Sequence, residues 1–268
     1  MVRQAPLPSK GKPDMLEDDD IERYARQLVM AEIGEEGQEK LLAAHVLVIG
    51  AGGLGAAVIS ALAGAGIGHL GLIDGDNIDI SNLNRQFIHS TDRIGHLKAS
   101  SAASFVTALN PDVNLSIHEG QFDHENANRL IADYDLVIDC TDSPSSRYLI
   151  NQICLMASKP LIFGGAVRTD GQATVILPAD PDSPCLHCIF PLSEVDYDQA
   201  PSCAQTGILG TTTMIIGAIQ AQEAIKYITG FGELLASRLW LYDGLSSEVM
   251  VIATSRDNAC PVCAQAGR

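Results

Sequence analysis

Four cysteines and a run of glycines are the residues of this chain whose spacing points most directly to chemistry. Cys185 and Cys188 form one Cys-x-x-Cys pair, and Cys260 and Cys263 form a second. Four thiolates in matched pairs are the ligand set of a closed tetrahedral zinc site. The interval between the pairs is too long for a self-contained ribbon, so the ion would tie the tail of the chain to an earlier loop. His187, inside the first pair, reads as a bystander. Gly50, Gly52 and Gly55 fall in the G-x-G-x-x-G spacing directly after the apolar run Val46-Leu47-Val48-Ile49. Glycines placed there permit a tight turn, close approach of a phosphate and close helix–strand packing. The helix that follows offers its positive end to an anion. Asp74 stands at about the ~20-residue distance at which an acid receives ribose hydroxyls.

Those features alone would suit a dinucleotide. The stretch Ser81-Asn82-Leu83-Asn84-Arg85-Gln86, followed by Lys98, adds two cations and an amide. A dinucleotide pyrophosphate is held mainly by backbone, whereas a triphosphate needs Arg or Lys to balance its charge and its transfer. Asp142, in Asp139-Cys140-Thr141-Asp142, lies just past a strand end. A carboxylate there either holds a magnesium ion that bridges phosphates or caps the next helix, and one Asp can do both. Cys203 sits in a loop just before a helix. It reads equally as a nucleophile sharpened by the helix terminus and as an ordinary loop cysteine. Cys140 ends a strand and Cys154 sits in a helix, and both read as inert core thiols.

The elements that must position these residues alternate. Helices are expected from Asp18 and over 35–44, 53–65, 98–109, 123–132 and 143–158, and strands over 46–49, 69–74, 112–118, 135–139 and 160–163. Asn110-Pro111 stops the helix before it. Such alternation implies right-handed crossovers and a parallel, doubly wound sheet. Beyond Gly164 the pattern changes to antiparallel edge strands over 172–177, 239–243 and 248–253, around a long helix over 208–228. Residues 178–206 form a Pro-, Asp- and Ser-rich loop of a length that signals function or mobility. The fold class is therefore α/β, Rossmann-like and mostly parallel, with antiparallel edge strands and a Cys₄ zinc site. A disordered extension (1–17) precedes one domain (18–268), divided into a nucleotide-binding part (about 45–164) and a partner-binding, zinc-holding part (about 165–268).

Composition sets outer bounds. The chain has 268 residues with 46% hydrophobic and 19% charged, which suits a globular core that needs no staples. A net charge of −16 leaves no basic surplus for nucleic acid. The first fifteen residues lack the apolar core of a signal peptide, and 208–219 falls short of a spanning helix. A cytoplasmic protein with neither nucleic-acid nor membrane partners is expected.

Taken together and in order, several segments resemble one family. They are Arg23-Tyr24-Ala25-Arg26-Gln27, Gly50 to Gly55, Asp74-Gly75-Asp76, Asn82-Leu83-Asn84-Arg85-Gln86, Asp139-Cys140-Thr141-Asp142 and the two cysteine pairs. They resemble the ThiF/MoeB/HesA family, prokaryotic relatives of the ubiquitin-activating enzymes, over 20–263. The resemblance implies ATP-dependent adenylation of the C-terminal glycine of a ubiquitin-like sulfur carrier ending in Gly-Gly, in molybdopterin or thiamine biosynthesis. It implies that Gly53 lines the phosphate pocket, Asp74 holds the ribose, and Asn82, Arg85 and Lys98 hold phosphates. Asp142 would hold magnesium, with Asp76, Ser81 and Ser143 beside it in the nucleotide site. Arg26 is expected to reach the ATP site of the partner in a homodimer, and Cys203 falls where relatives carry the thiol that bonds to the carrier. Ser143 replaces the usual Asn, and His96-Leu97 replace Gln-Pro before Lys98, which implies tuned affinity. With no room for a fused sulfurtransferase domain, sulfur is expected from a separate donor protein. An NAD-dependent oxidoreductase would leave Arg85, Lys98 and the cysteine pairs unexplained. A non-catalytic scaffold that binds a ubiquitin-like protein would lack phosphate or magnesium ligands, which are present here.

Overall fold

Val46 to Ile49 are four buried apolar residues in a row, and they place their strand at the centre of a sheet covered on both faces. The computed structural model describes residues 16–191 and 206–265. Residues 1–15 of the expected extension, and Cys203, lie outside these. Five strands, β1 (His45–Ile49), β2 (His69–Ile73), β3 (Asn114–His118), β4 (Leu136–Asp139) and β5 (Leu161–Val167), run parallel in the order β3-β2-β1-β4-β5. Three more, β6 (Asp170–Ile176), β7 (Arg238–Asp243) and β8 (Glu248–Ala253), continue the same sheet antiparallel.

Alternation along β1 divides the core in two. Val46 and Val48 face α3 (Gly53–Ala65), α4 (Lys98–Leu109) and a long helix over Gly210–Thr229. Leu47 and Ile49 face α5 (Ala127–Ala132) and α6 (Pro144–Met156). Two short helices, α7 (Leu186–Ile189) and one over Pro261–Gln265, carry the cysteine pairs on this second face. In chain order the long helix is α8 and the last is α9. At the N-terminus α1 (Asp18–Leu28) buries only Tyr24 and leads into α2 (Gly34–Ala43).

The expected architecture is present, with shifts at element ends that have local causes. The 123–132 helix begins only at Ala127, because the Asp123 carboxylate accepts the N–H groups of Glu125 and Asn126 and holds a turn instead. The helix after β4 is capped by Ser143, whose hydroxyl accepts the Ser146 N–H at 3.1 Å, and not by Asp142.

α8 lies against α3 at backbone distance. A Cβ at Gly217 would sit 2.6 Å from the Leu54 carbonyl oxygen and 2.7 Å from the Ala57 Cβ. Gly217→Ala is therefore expected to destabilise the fold by roughly 1–3 kcal/mol through overpacking. Gly64→Ala, an exposed helical position with nothing within 4 Å of the new methyl, is expected to stabilise by roughly 0.4–1 kcal/mol. Urea-unfolding midpoints of the two variants check this, and equal signs would contradict it.

Candidate active site

β1 pairs with both β2 and β4, yet α3 and α6 leave the tops of β1 and β4 toward opposite faces. A crevice opens there, outside the strand carboxyl ends, where open α/β sheets hold their ligands. It is a cavity of about 370 Å³, lined by Gly50, Gly52, Gly53, Asp74, Asp76, Asn82, Arg85, Lys98, Asp142 and Ser143. Residues scattered over nearly a hundred positions of sequence thus meet in one place.

The glycine loop is held from three sides. Gly50 adopts φ +100°, and a Cβ there would sit 2.8 Å from the Cys140 carbonyl oxygen at the head of β4. Asp74 Oδ2 accepts the Ala51 N–H at 2.8 Å, and its Oδ1 accepts the Asp76 N–H at 2.9 Å. From below, His89 Nε2 meets the Ala51 carbonyl at 3.0 Å and Nδ1 meets the Ser101 hydroxyl at 3.0 Å. A carbonyl only accepts, so Nε2 carries a proton, and the Ser101 hydroxyl can serve Nδ1 in either role. Burial holds its pKa below the ordinary histidine value, which favours the neutral ring.

One side of the cavity is cationic. The buried Lys98 ammonium lies 2.8 Å from Asp76 Oδ2. Arg85 is oriented by the Ser81 carbonyl at 2.9 Å and the Asn84 Oδ1 at 3.0 Å. Asp142 is exposed at the opposite lip, relieved of helix capping by Ser143. Gly55, Ser81 and Arg26 do not line the cavity. A Cβ at Gly55 would fall 2.0 Å from the Gly50 carbonyl oxygen, so this glycine serves packing. Ser81 acts through its carbonyl on Arg85, and Arg26 is exposed on α1.

Gln86, Thr141 and Arg147 are among the lining residues not assigned from sequence. Gln86 is buried, and its Oε1 finds no partner among the described residues, which leaves an acceptor for a ligand. Its place beside Arg85 was the available signal. Thr141 had the same kind of signal, its place beside Asp142, and Arg147 had none. The Thr141 N–H and hydroxyl both donate to Asp139 Oδ1, at 2.9 and 2.7 Å, which fixes the loop that carries Asp142. Asp139 is fully buried, and its Oδ2 has no partner among the described residues. The Arg147 guanidinium donates twice to the Thr141 carbonyl, at 3.3 and 3.1 Å, and lies 5.5 Å from the Phe163 ring centroid.

Away from the crevice the four paired cysteines converge. Their sulfurs lie 3.7 Å (Cys185–Cys188), 3.8 Å (Cys185–Cys260) and 3.6 Å (Cys188–Cys263) apart, and all four fall within 4.8 Å of one another. Zinc–sulfur bonds of about 2.3 Å in a tetrahedron place sulfurs about 3.8 Å apart, so the set fits such an ion. The nitrogens of His187 are not in this group. Cys140 and Cys154 are buried, and burial pushes both thiols above their ordinary pKa, which leaves them unreactive.

With this geometry in hand, comparison with known proteins identifies the lineage. Residues 24–262 match the ThiF family. The chain belongs to that family. It is 41% identical over 247 residues to the SAMP-activating enzyme E1 of Haloferax volcanii, covering 92% of this chain and 90% of that protein. It is 45% identical over 231 residues to the adenylyltransferase and sulfurtransferase MOCS3 of Drosophila sechellia, covering 86% of this chain and 50% of that one. It spans about half the length of such two-activity relatives, the uba4 protein of Pyricularia oryzae included. Among solved structures, E. coli MccB with MccA-N7isoASN superposes at a TM-score of 0.80 with 22% identity, covering 94% of this chain and 77% of that one. At that identity the likeness establishes that this ThiF-family chain shares the fold.

Burial raises the Asp139 carboxyl above the ordinary carboxylate pKa, against the opposing pull of Arg147. The folded state therefore binds this proton more tightly than the unfolded chain. Its contribution is full below the ordinary carboxylate value and is lost as pH rises through the folded value. Asp139→Asn keeps an acceptor for Thr141 and removes that loss. The melting-temperature advantage of the Asn variant is expected to grow from about pH 4 to about pH 8. An advantage independent of pH would contradict the buried ionisation.

Proposed function

We propose that this chain adenylates the C-terminal carboxylate of a small ubiquitin-like carrier protein ending in Gly-Gly, using ATP and magnesium. The observation that carries the reading is the meeting of Asp74, Asn82, Arg85, Lys98 and Asp142 around one cavity, with more positive charge than a dinucleotide requires. Asp74 offers lone pairs to the ribose, and Arg85 and Lys98 neutralise phosphate oxygens. Lys98 leaves its Asp76 partner only for a stronger anion, which favours a polyphosphate over a monovalent ion. Asp142 would hold magnesium, whose chemistry here is to neutralise charge on the phosphates. A carboxylate oxygen of the carrier attacks the α-phosphorus, the bond to the bridging oxygen breaks, and pyrophosphate leaves with that electron pair. The product is a mixed anhydride, which a sulfur nucleophile from a separate donor protein then opens.

The names of the relatives support this reading, since they include an activating enzyme and adenylyltransferases. A groove of about 720 Å³ beside the ATP cavity, lined by Val167, Leu241, Tyr242, Val249 and Met250, supports a docking place for the carrier. β8, exposed along its whole length, extends that face. The sulfur pathway we propose is that of molybdopterin or thiamine. Exposed Arg26 is proposed to complete the ATP site of a second copy in a homodimer, and Cys203 to be the thiol that bonds to the carrier. The four cysteines are proposed to hold zinc and so to pin α9 and the tail to α7. No described helix is long and apolar enough to cross a membrane, which is compatible with cytoplasmic work.

Four outcomes are expected. Carrier-dependent exchange of labelled pyrophosphate into ATP should fall on the order of 100-fold or more in Asp142→Ala. It should persist in Cys203→Ala, because adenylation precedes any thiol step. Absence of exchange with every Gly-Gly carrier would overturn the proposal, and loss in the Cys203 variant would overturn the assignment of roles. Elemental analysis should find about one zinc per chain, and its removal by chelator should lower the melting temperature. A chain that is metal-free as purified and indifferent to chelator would contradict the zinc assignment.

A further inference from the structure

The ATP cavity and the groove beside it meet, and Arg147 stands where they meet. Among the described residues, only Arg147 and Ala166 line both the ATP cavity and the neighbouring groove. Arg147 is also the groove's single cation among the lining residues, since the other ionisable groups there are Asp170, Asp243 and Glu248. Those three acids face one another across β6, β7 and β8, Asp170 opposite Asp243 and Asp243 opposite Glu248. A chain end bearing a carboxylate is thus repelled along the groove and attracted at one point, the threshold of the ATP cavity.

The guanidinium is prepared for such a guest. Its Nε and Nη2 are spent on the Thr141 carbonyl, and the Phe163 ring backs its face. Its Nη1 makes no hydrogen bond among the described residues. The backbone that it grips leads directly to Asp142, so the cation and the proposed magnesium ligand share one rigid loop.

We infer that Arg147 receives the terminal carboxylate of the carrier as it passes from the groove into the ATP cavity, and holds it for attack on the α-phosphate. This rests on the adenylation reading above and adds a substrate-binding residue to it. An arginine is suited to the task. It stays charged at any working pH, and it screens two anions that must approach each other, the carboxylate and the nucleotide.

A structural role for Arg147, as a prop for Thr141, would weaken all binding alike. The test therefore compares two tails. The Gly-Gly carrier that supports pyrophosphate exchange is prepared with its natural carboxylate and with a terminal carboxamide. Calorimetry then measures the affinity of both for the full-length wild type and for Arg147→Gln and Arg147→Lys. The wild type is expected to prefer the carboxylate by about tenfold or more. Arg147→Gln should bind both tails equally, and Arg147→Lys should keep part of the preference. In exchange assays the KM for carrier should rise in Arg147→Gln by more than the KM for ATP does. An undiminished preference for carboxylate in Arg147→Gln, with the variant folded by its melting curve, overturns the inference and leaves the adenylation reading standing. Should no carrier support exchange with the wild type, the adenylation reading falls and this inference falls with it.

Discussion

The carbonyl oxygen of Gly50 sets the geometry at the head of the sheet. A methyl at Gly55 would lie 2.0 Å from it, and a side chain at Gly50 would collide with the Cys140 carbonyl. Two glycines therefore let β1, the first turn of α3 and the end of β4 come together at backbone distance. Everything that the site does depends on this approach. It brings the N–H groups of a helix N-terminus and the Asp139–Asp142 loop to opposite sides of one small cavity. α8 then closes over the same loop, with Thr213 about 3 Å from the position of a Gly53 methyl and Gln220 donating to the Asp139 carbonyl at 2.7 Å.

Electrostatics inside this frame are arranged in advance. Lys98, Arg85 and Arg147 line the cavity of a chain whose net charge is −16, and each is oriented by a carboxylate or by carbonyls. Preorganised cations in a partly desolvated site need little rearrangement when an anion arrives, which is where such sites gain most of their effect. Buried acids are the counterpart. Asp74 and Asp139 sit where burial raises their pKa, each with an oxygen committed to holding backbone in place. They serve as braces for the loops that carry the chemistry.

Much of this is legible in the sequence. The parallel sheet follows from apolar runs such as Val46 to Ile49 alternating with helical spacing, and tertiary packing had no reason to override it. The cysteine pairs announced their convergence because few arrangements other than a metal site require such spacing. What was illegible depends on distance across the fold. Nothing local marks Arg147, whose importance comes from lying between two cavities, or His89, which supports a loop 38 positions earlier in the chain. From sequence Asp142 could hold magnesium, cap the helix or do both, and only the hydrogen bond from the Ser146 N–H to the Ser143 hydroxyl gives the cap to Ser143. Gly55 belongs to the nucleotide motif by spacing, yet its place in the fold is steric.

The central claim is that a carrier carboxylate, held at this crevice, attacks the α-phosphate of ATP. Tracing oxygen tests it most directly. A Gly-Gly carrier whose terminal carboxylate contains heavy oxygen is incubated with the enzyme, ATP, magnesium and a thiol acceptor, and the released nucleotide is analysed by mass spectrometry. Attack at the α-phosphorus, followed by opening of the anhydride at the acyl carbon, delivers one heavy oxygen into AMP and none into pyrophosphate. AMP free of label, or label in pyrophosphate or inorganic phosphate, would contradict the account.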